Sequence, residues 1–343
     1  MHPRIIGSAK SPLHLILQAY MKKKILPEYS TFIIVFFVLV CLDSSMMSQT
    51  DTAKNASISN GEFTAQINGL KLWYKVSGKG PVCVHPTPGW GPSSELYFMK
   101  LKPLESMFTM VYLDTRGCGR SEQPDLNAYA MKDFVADIEG LREHLGVERM
   151  WLMGHSDGGP MILNYAFEYG GHVEGMILVD APVGNTSKSN ERIQLMQLRK
   201  NEPWFGDAFK AFQKMPTTQK EFETYINTIL PFFFSSTANL EKNRDVFEKT
   251  SLSFHAQRGR GQSDQASADL AAFLPHMKIP TLILVGNDDF ICTPSAAEYL
   301  HAQIPSSKLL IIKNAGHFPW LEQPEEFFDS IQSFVLTPDH QKN

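Results

Sequence analysis

Six short, continuous apolar runs punctuate this chain: Pro81–His85, Met110–Asp114, Met150–Met153, Met176–Asp180, Leu282–Val285 and Leu309–Ile312. Runs without polar alternation predict strands buried on both faces of a mostly parallel sheet. Between them apolar residues fall at helical spacing, at Met131–Leu145, Pro160–Glu168, Ser295–Ala302 and Pro324–Phe334. Upstream, Phe63–Ile67 and Leu70–Val76 read as a hairpin. Such alternation predicts a doubly wound α/β core over residues 61–181 and 276–337. It stops between residues 182 and 275, a helix-leaning, strandless stretch carrying Trp204-Phe205, Phe209, Phe212, Phe222, Tyr225 and Pro231–Phe234. That stretch predicts a helical cap inserted over the strand ends. Within it, Gln257-Arg258-Gly259-Arg260-Gly261-Gln262 reads as a loop.

Residues 43–60, rich in Ser, Thr, Asn and Asp, read as a linker. Ahead of them Lys22-Lys23-Lys24 precedes an apolar run from Phe32 to Leu42. A basic segment followed by a short apolar one resembles a signal peptide, and the run is short for a membrane span of ~20 residues. Residues 1–42 are therefore expected to export the chain, cleaved or retained as an anchor. Membrane contact is expected only through residues 32–42. Composition changes this picture little. A net charge of −4 argues against a nucleic-acid partner. The four cysteines are widely spaced and form no Cys-x-x-Cys pair, so neither a zinc site nor a disulfide framework is suggested. Nothing points to a cofactor or a metal.

The chemistry concentrates at Gly154-His155-Ser156-Asp157-Gly158-Gly159, between the strand Met150–Met153 and the helical stretch that starts at Pro160. A serine at a strand-to-helix turn, with glycine two residues away on each side, has the spacing of a nucleophile elbow. The flanking positions must be small because strand and helix backbones approach there. A serine hydroxyl is a poor nucleophile at neutral pH; it needs a base, and the base needs an orienting acid. Both are expected downstream, at strand ends, where an open α/β sheet builds its sites. His317, in Asn314–Pro319 after Leu309–Ile312, is the expected base, and Gly316 is expected to let its loop approach the elbow. The acid is Asp288 or Asp289, after Leu282–Val285, with Asp180 less favoured. An oxyanion needs two N–H donors. The N–H of Asp157 follows the nucleophile directly. In the loop His85–Gly91, Pro86 and Pro88 have no N–H, which leaves Thr87 as the second donor.

With these residues in place, the chain resembles the α/β-hydrolase family over nearly all of residues 62–337, and within it the prolyl aminopeptidase-like branch. His85-Pro86-Thr87-Pro88-Gly89 matches that branch's His-Gly-Gly-Pro-Gly loop in part, and Asp114-Thr115-Arg116-Gly117-Cys118-Gly119-Arg120-Ser121 matches its Asp-x-Arg-Gly-x-Gly-x-Ser turn closely. The resemblance implies an α/β-hydrolase fold: an eight-stranded-type, mostly parallel sheet flanked by helices, with a helical cap. It also implies a triad of Ser156, Asp289 and His317. Asp289 is favoured over Asp288 because it lies three residues after Gly286, with Pro294 following, the family's spacing. Arg116 and Ser121 are implied to be structural. The chain departs from the branch at Asp157, where Trp is usual, and no acidic cap residues match those that bind a substrate amino terminus there. The elbow is also similar to the Gly-Trp-Ser-Asp-Gly-Gly of hydrolases acting on α-amino-acid esters. Asp157 then either pairs with a substrate ammonium or favours the helix start. Some of Trp90, Trp204, Phe205 and Phe232–Phe234 are expected to line an apolar pocket.

The expectation is a serine hydrolase that works through an acyl-enzyme on an ester, lactone or small amide of a small molecule or short peptide. A prolyl-type aminopeptidase comes first, with a carboxylesterase or lactonase as the alternative. Epoxide hydrolase and dehalogenase chemistry needs an aspartate where Ser156 stands. A non-catalytic ligand receptor on the same fold is the rival of another class, and the presence of all three triad residues stands against it.

Overall fold

The structure, a computed structural model, describes residues 58–182, 189–263 and 270–337. The basic and apolar N-terminal segment, and the linker up to Ser57, lie outside them.

Among the described residues, eight strands form one sheet in the order β1-β2-β4-β3-β5-β6-β7-β8. They are β1 (Gly61–Ile67), β2 (Leu70–Gly78), β3 (Val82–Pro86), β4 (Thr109–Leu113), β5 (Met150–His155), β6 (Val173–Val179), β7 (Thr281–Gly286) and β8 (Ser307–Ile312). β1 and β2 pair antiparallel through Asn68-Gly69, whose φ angles of 50° and 80° suit a tight hairpin turn. β2 runs antiparallel to β4, and every later pairing is parallel. Every residue of β4, β5 and β7 is buried, which is why these strands read as unbroken apolar runs.

The helices are α1 (Glu95–Phe98), α2 (Met131–His144), α3 (Gly158–Tyr169), α4 (Ser189–Gln197), α5 (Phe205–Ala211), α6 (Gln219–Ile229), α7 (Thr237–Lys242), α8 (Arg244–Lys249), α9 (Phe254–Gln262), α10 (Leu270–Phe273), α11 (Pro294–Gln303), α12 (Pro319–Glu322) and α13 (Pro324–Val335). The period of two along each strand divides the interior into two cores. On one face Val111 and Leu113 pack with Phe134 and Ile138 of α2, Met161 and Tyr165 of α3 and Leu300 of α11. On the other, Met110 and Tyr112 pack with Tyr97 of α1 and Phe327, Ile331 and Phe334 of α13.

Helices α4 to α10 form the cap between β6 and β7. Thr218, Ser236 and Ser253 cap α6, α7 and α9 by accepting the N–H groups of Glu221, Asn239 and Ala256, each cap contributing about 1 kcal/mol. Phe232 and Phe290 form a separate small core with Ala208, Trp204, Phe205 and Phe212. Residues 257–262, expected as a loop, belong to α9. Gly259 is there for close packing, not for a turn: a Cβ would lie 2.2 Å from the Tyr129 ring. Among the described residues no helix is long and apolar enough to cross a membrane.

Candidate active site

The turn after β5 places Ser156 in the left-handed region, with φ 51°, a conformation that costs a non-glycine residue about 1–2 kcal/mol. Hydrogen bonds hold it there. The Ser156 N–H donates to the Val179 carbonyl at 3.0 Å, and the Ser156 carbonyl accepts from the Gly159 N–H at 2.8 Å. The need for small neighbours falls on Gly154 and Gly159. A Cβ on Gly154 would lie 2.5 Å from the Gly158 carbonyl oxygen, and one on Gly159 would lie 2.3 Å from Ala181 Cβ. At Gly158, the second glycine of the short pattern, the nearest atom would be the Pro86 carbonyl oxygen at an ordinary 3.5 Å.

The loops after β7 and β8 bring Asp289 and His317 together in the interior. His317 Nδ1–H donates to Asp289 Oδ2 at 2.7 Å, and Asp289 Oδ1 accepts the N–H groups of Ile291 and Cys292 at 2.8 and 3.2 Å. Asp289, and not Asp288, is thus the carboxylate bonded to the histidine, and its own orientation is set by its loop. With Nδ1 occupied, Nε2 is the nitrogen left for proton transfer. Ser156 and His317 line the same cavity, and no hydrogen bond joins the serine hydroxyl to the ring.

Two expectations about the surroundings are corrected. The Thr87 N–H is spent on the Leu113 carbonyl at 3.0 Å, continuing the β3–β4 ladder, and the Thr87 hydroxyl is bonded to Thr115 at 2.7 Å. The prolines of the loop limit which residues have an N–H, but nothing in the local sequence marks the ladder that takes this one. The Asp157 N–H, by contrast, has no acceptor among the described residues. Asp157 stands at the N-cap of α3, the helix start expected of it, without a side-chain bond to a helix N–H; its carboxylate accepts from Arg260 of α9, with Nη2 3.3 Å from Oδ2. Gly316 serves an approach to the cap and not to the elbow, since a Cβ there would meet the Phe233 carbonyl oxygen at 2.3 Å.

Two further residues at the site, His155 and Glu322, carried no legible sequence signal. His155 Nε2 lies 2.8 Å from the His317 carbonyl, which can only accept, so Nε2 carries the proton and Nδ1 accepts from the Tyr97 hydroxyl at 3.1 Å. Burial, then the neighbouring His317, pushes the His155 pKa well below its ordinary value and keeps the ring neutral. Glu322 accepts the Gly316 N–H at 2.7 Å on one oxygen and the Ser235 and Asn239 groups of the cap on the other. Asp180, at the end of β6, accepts the Gly286 N–H at 2.9 Å and stands beside Asp289. Arg116 and Ser121 are structural: Arg116 makes a two-pronged pair with Asp137 at 2.7 Å, and Ser121 Oγ accepts the Trp73 N–H at 2.8 Å.

The cavity at Ser156 measures about 360 Å³. Trp90, Leu230, Phe233 and Phe318 supply apolar walls, and Glu223 of α6 and Glu248 of α8 also line it. Of the aromatics expected in a pocket, Trp90 and Phe233 reach it, whereas Trp204, Phe205 and Phe232 pack in the cap's own core and Phe234 in the main one. Among the described residues, Asp289, Cys292 and His317 have ligand atoms within 4.8 Å of one another. The His317 and Asp289 atoms are already bonded to each other, and burial holds the Cys292 thiol protonated, so the trio does not fit a metal.

The geometry agrees with comparisons to known proteins. The α/β hydrolase fold family model matches residues 82–324. A proline iminopeptidase of Saccharolobus solfataricus is 24% identical over 304 residues, covering 83% of this chain and 95% of the relative. An α/β fold family hydrolase from Bacillus anthracis superposes with a TM-score of 0.66 at 20% identity, covering 80% of this chain and 99% of that one. An esterase from Exiguobacterium antarcticum gives 0.63 at 21% identity, covering 81% and 100%. The chain belongs to the α/β hydrolase fold family.

Proposed function

We propose that this hydrolase is a serine aminopeptidase of the prolyl type, with Ser156 as nucleophile, His317 as base and Asp289 as the orienting acid. The Ser156 Oγ attacks the scissile carbonyl as its proton passes to His317 Nε2. The Asp289 carboxylate steadies the imidazolium formed. The Asp157 N–H donates to the oxyanion, and Thr87 can join only by turning from or sharing the Leu113 carbonyl. His317 then protonates the leaving nitrogen as the C–N bond breaks, and water repeats the sequence to release the acyl group.

The observation that carries the substrate class is the pair of cap carboxylates, Glu223 and Glu248, lining one small, largely apolar cavity with Ser156 and His317. Such a space suits a compact apolar acyl unit that carries a positive amine. The proline iminopeptidase named for Saccharolobus solfataricus supports the same reading. The apolar walls also support an acyl ester as the second reading. One assay series decides. A fluorophosphonate probe is expected to label the wild type and not Ser156→Ala, whose turnover falls by about 10⁴-fold or more. Proline naphthylamide is expected to turn over, and Glu223→Gln and Glu248→Gln to raise its KM. Turnover of p-nitrophenyl acyl esters with an inert amide rejects the peptidase in favour of the esterase.

A further inference from the structure

Helix α6 contributes to two cavities beside the nucleophile, one on each of two adjoining stripes. Residues at i, i+3, i+4 and i+7 share a stripe of a helix. Glu223, Ile226, Asn227 and Leu230, the last just past the helix end, have this spacing, and all of them line the cavity of about 360 Å³ that holds Ser156 and His317. Phe222, Tyr225, Ile226 and Ile229 form the adjoining stripe, one residue round, and all of them line a second cavity, of about 450 Å³. Trp90, Ser156, Phe233 and His317 line both spaces. The cavities therefore meet at the nucleophile, with Ile226 common to the two stripes.

The stripes differ in chemistry. The first presents the Glu223 carboxylate and the Asn227 amide, and Glu248 of α8 adds a further carboxylate. The second presents the Phe222 and Tyr225 rings and the aliphatic Ile226 and Ile229, and Phe212 extends this wall from the end of α5. Its rings are set edge to face. Trp90 meets Phe222 at 86° with centroids 6.4 Å apart, and Phe212 meets Tyr225 at 88° and 6.2 Å. Such a wall offers an entering ring the same kind of contact, which is worth more than the buried area alone. Asp157 and Arg260 also reach this cavity and are bonded to each other.

We propose that the second cavity is the leaving-group subsite and that it selects large apolar leaving groups, aromatic ones above all. This deepens the reading given above and rests on Ser156 being the nucleophile. The substrate lies across Ile226, with its scissile carbonyl at Ser156. Its acyl unit occupies the first cavity, amine toward Glu223 and Glu248, and its leaving group packs on Phe222, Tyr225 and Ile229. The substrate class is then a short peptide or arylamide whose second unit is an aromatic or bulky apolar residue. His317 returns its proton to the leaving atom as the bond breaks, and the leaving group departs through the second cavity while the acyl group stays on Ser156.

The test compares kcat/KM for 2-naphthyl acetate and phenyl acetate, each divided by its rate of hydroxide hydrolysis. The corrected ratio is expected to favour the naphthyl ester by about tenfold in the wild type, the scale of burying one further ring edge against aromatic walls. Tyr225→Ala should bring the ratio down to about threefold or less, and Tyr225→Phe should keep it. Asn227→Ala, on the other stripe of the same helix, should move the ratio less than Tyr225→Ala does. A corrected ratio near one in the wild type overturns the proposal, and so does a loss in Asn227→Ala that equals the loss in Tyr225→Ala. The wild-type ratio keeps the test decisive even if Tyr225→Ala does not fold. Both esters carry an acetyl group, so the result is independent of the amine-binding reading of the first cavity. Failure of the nucleophile assignment appears separately, as fluorophosphonate labelling that survives Ser156→Ala.

Discussion

Asp180 ends β6 much as Ser156 ends β5, in a left-handed conformation with φ 43°. It is 1% exposed. Burial, reinforced by the neighbouring Asp289 carboxylate, pushes its pKa well above the ordinary range. A protonated Asp180 offers Asp289 a donor in place of a second negative charge. The folded chain then keeps a proton that the unfolded chain releases near pH 4. Between that pH and the raised native value the unfolded state binds fewer protons, so this residue makes stability fall as pH rises. Asp180→Asn keeps an acceptor for the Gly286 N–H and a donor for Asp289, and it does not titrate. Urea unfolding should show the variant gaining on the wild type as the pH is raised above about 4. A difference that stays flat over that range would mean that Asp180 is ionised in the native protein.

At the scale of the element, the elbow is set by contacts between β5 and α3 and not by the short pattern alone. Gly154→Ala and Gly159→Ala each force a Cβ against atoms 2.5 and 2.3 Å away, and each is expected to cost about 1–3 kcal/mol. Gly158→Ala, with its nearest contact at 3.5 Å, should cost under about 1 kcal/mol. Thermal melts of the three variants check the order. Serine at φ > 0 and glycine at the crossing were legible as a turn signature. Which glycine bears the close contact was not, because Ala181, beyond the end of the next strand, decides it. Similarly, Gly259 and Gly261 suggested a loop, and the ring of Tyr129, far away in the chain, makes that stretch a packed helix.

Across the whole molecule, the cap and the loop that carries His317 are joined at one buried carboxylate. Glu322 receives the Gly316 N–H at 2.7 Å, the Ser235 N–H at 2.8 Å and the Asn239 amide at 2.9 Å. Beside it the His317 N–H donates to the Phe233 carbonyl of the cap at 2.7 Å. Glu322→Gln turns one acceptor into a donor that faces other donors. It should destabilise the fold by about 1–3 kcal/mol and lower kcat more than it raises KM, because it loosens the proposed base and not the substrate cavity. Urea unfolding and steady-state kinetics measure the two effects, and an unchanged kcat would reject the coupling.

The period of the apolar residues sufficed for the sheet, its flanking helices and the position of the cap, since burial on both faces leaves a mark in every strand. Chain order, loop spacing and the family resemblance pointed to Ser156, Asp289 and His317 at strand ends, and of these the structure joins His317 to Asp289 by a hydrogen bond. Only the packed chain assigned Glu223, Glu248 and Arg260 to the walls around Ser156, bound Asp157 to Arg260, and spent the Thr87 N–H on Leu113. These outcomes depend on which helix of the cap lies over which strand end. That is decided by side-chain packing between segments up to more than a hundred residues apart, and neither periodicity nor a local pattern encodes it.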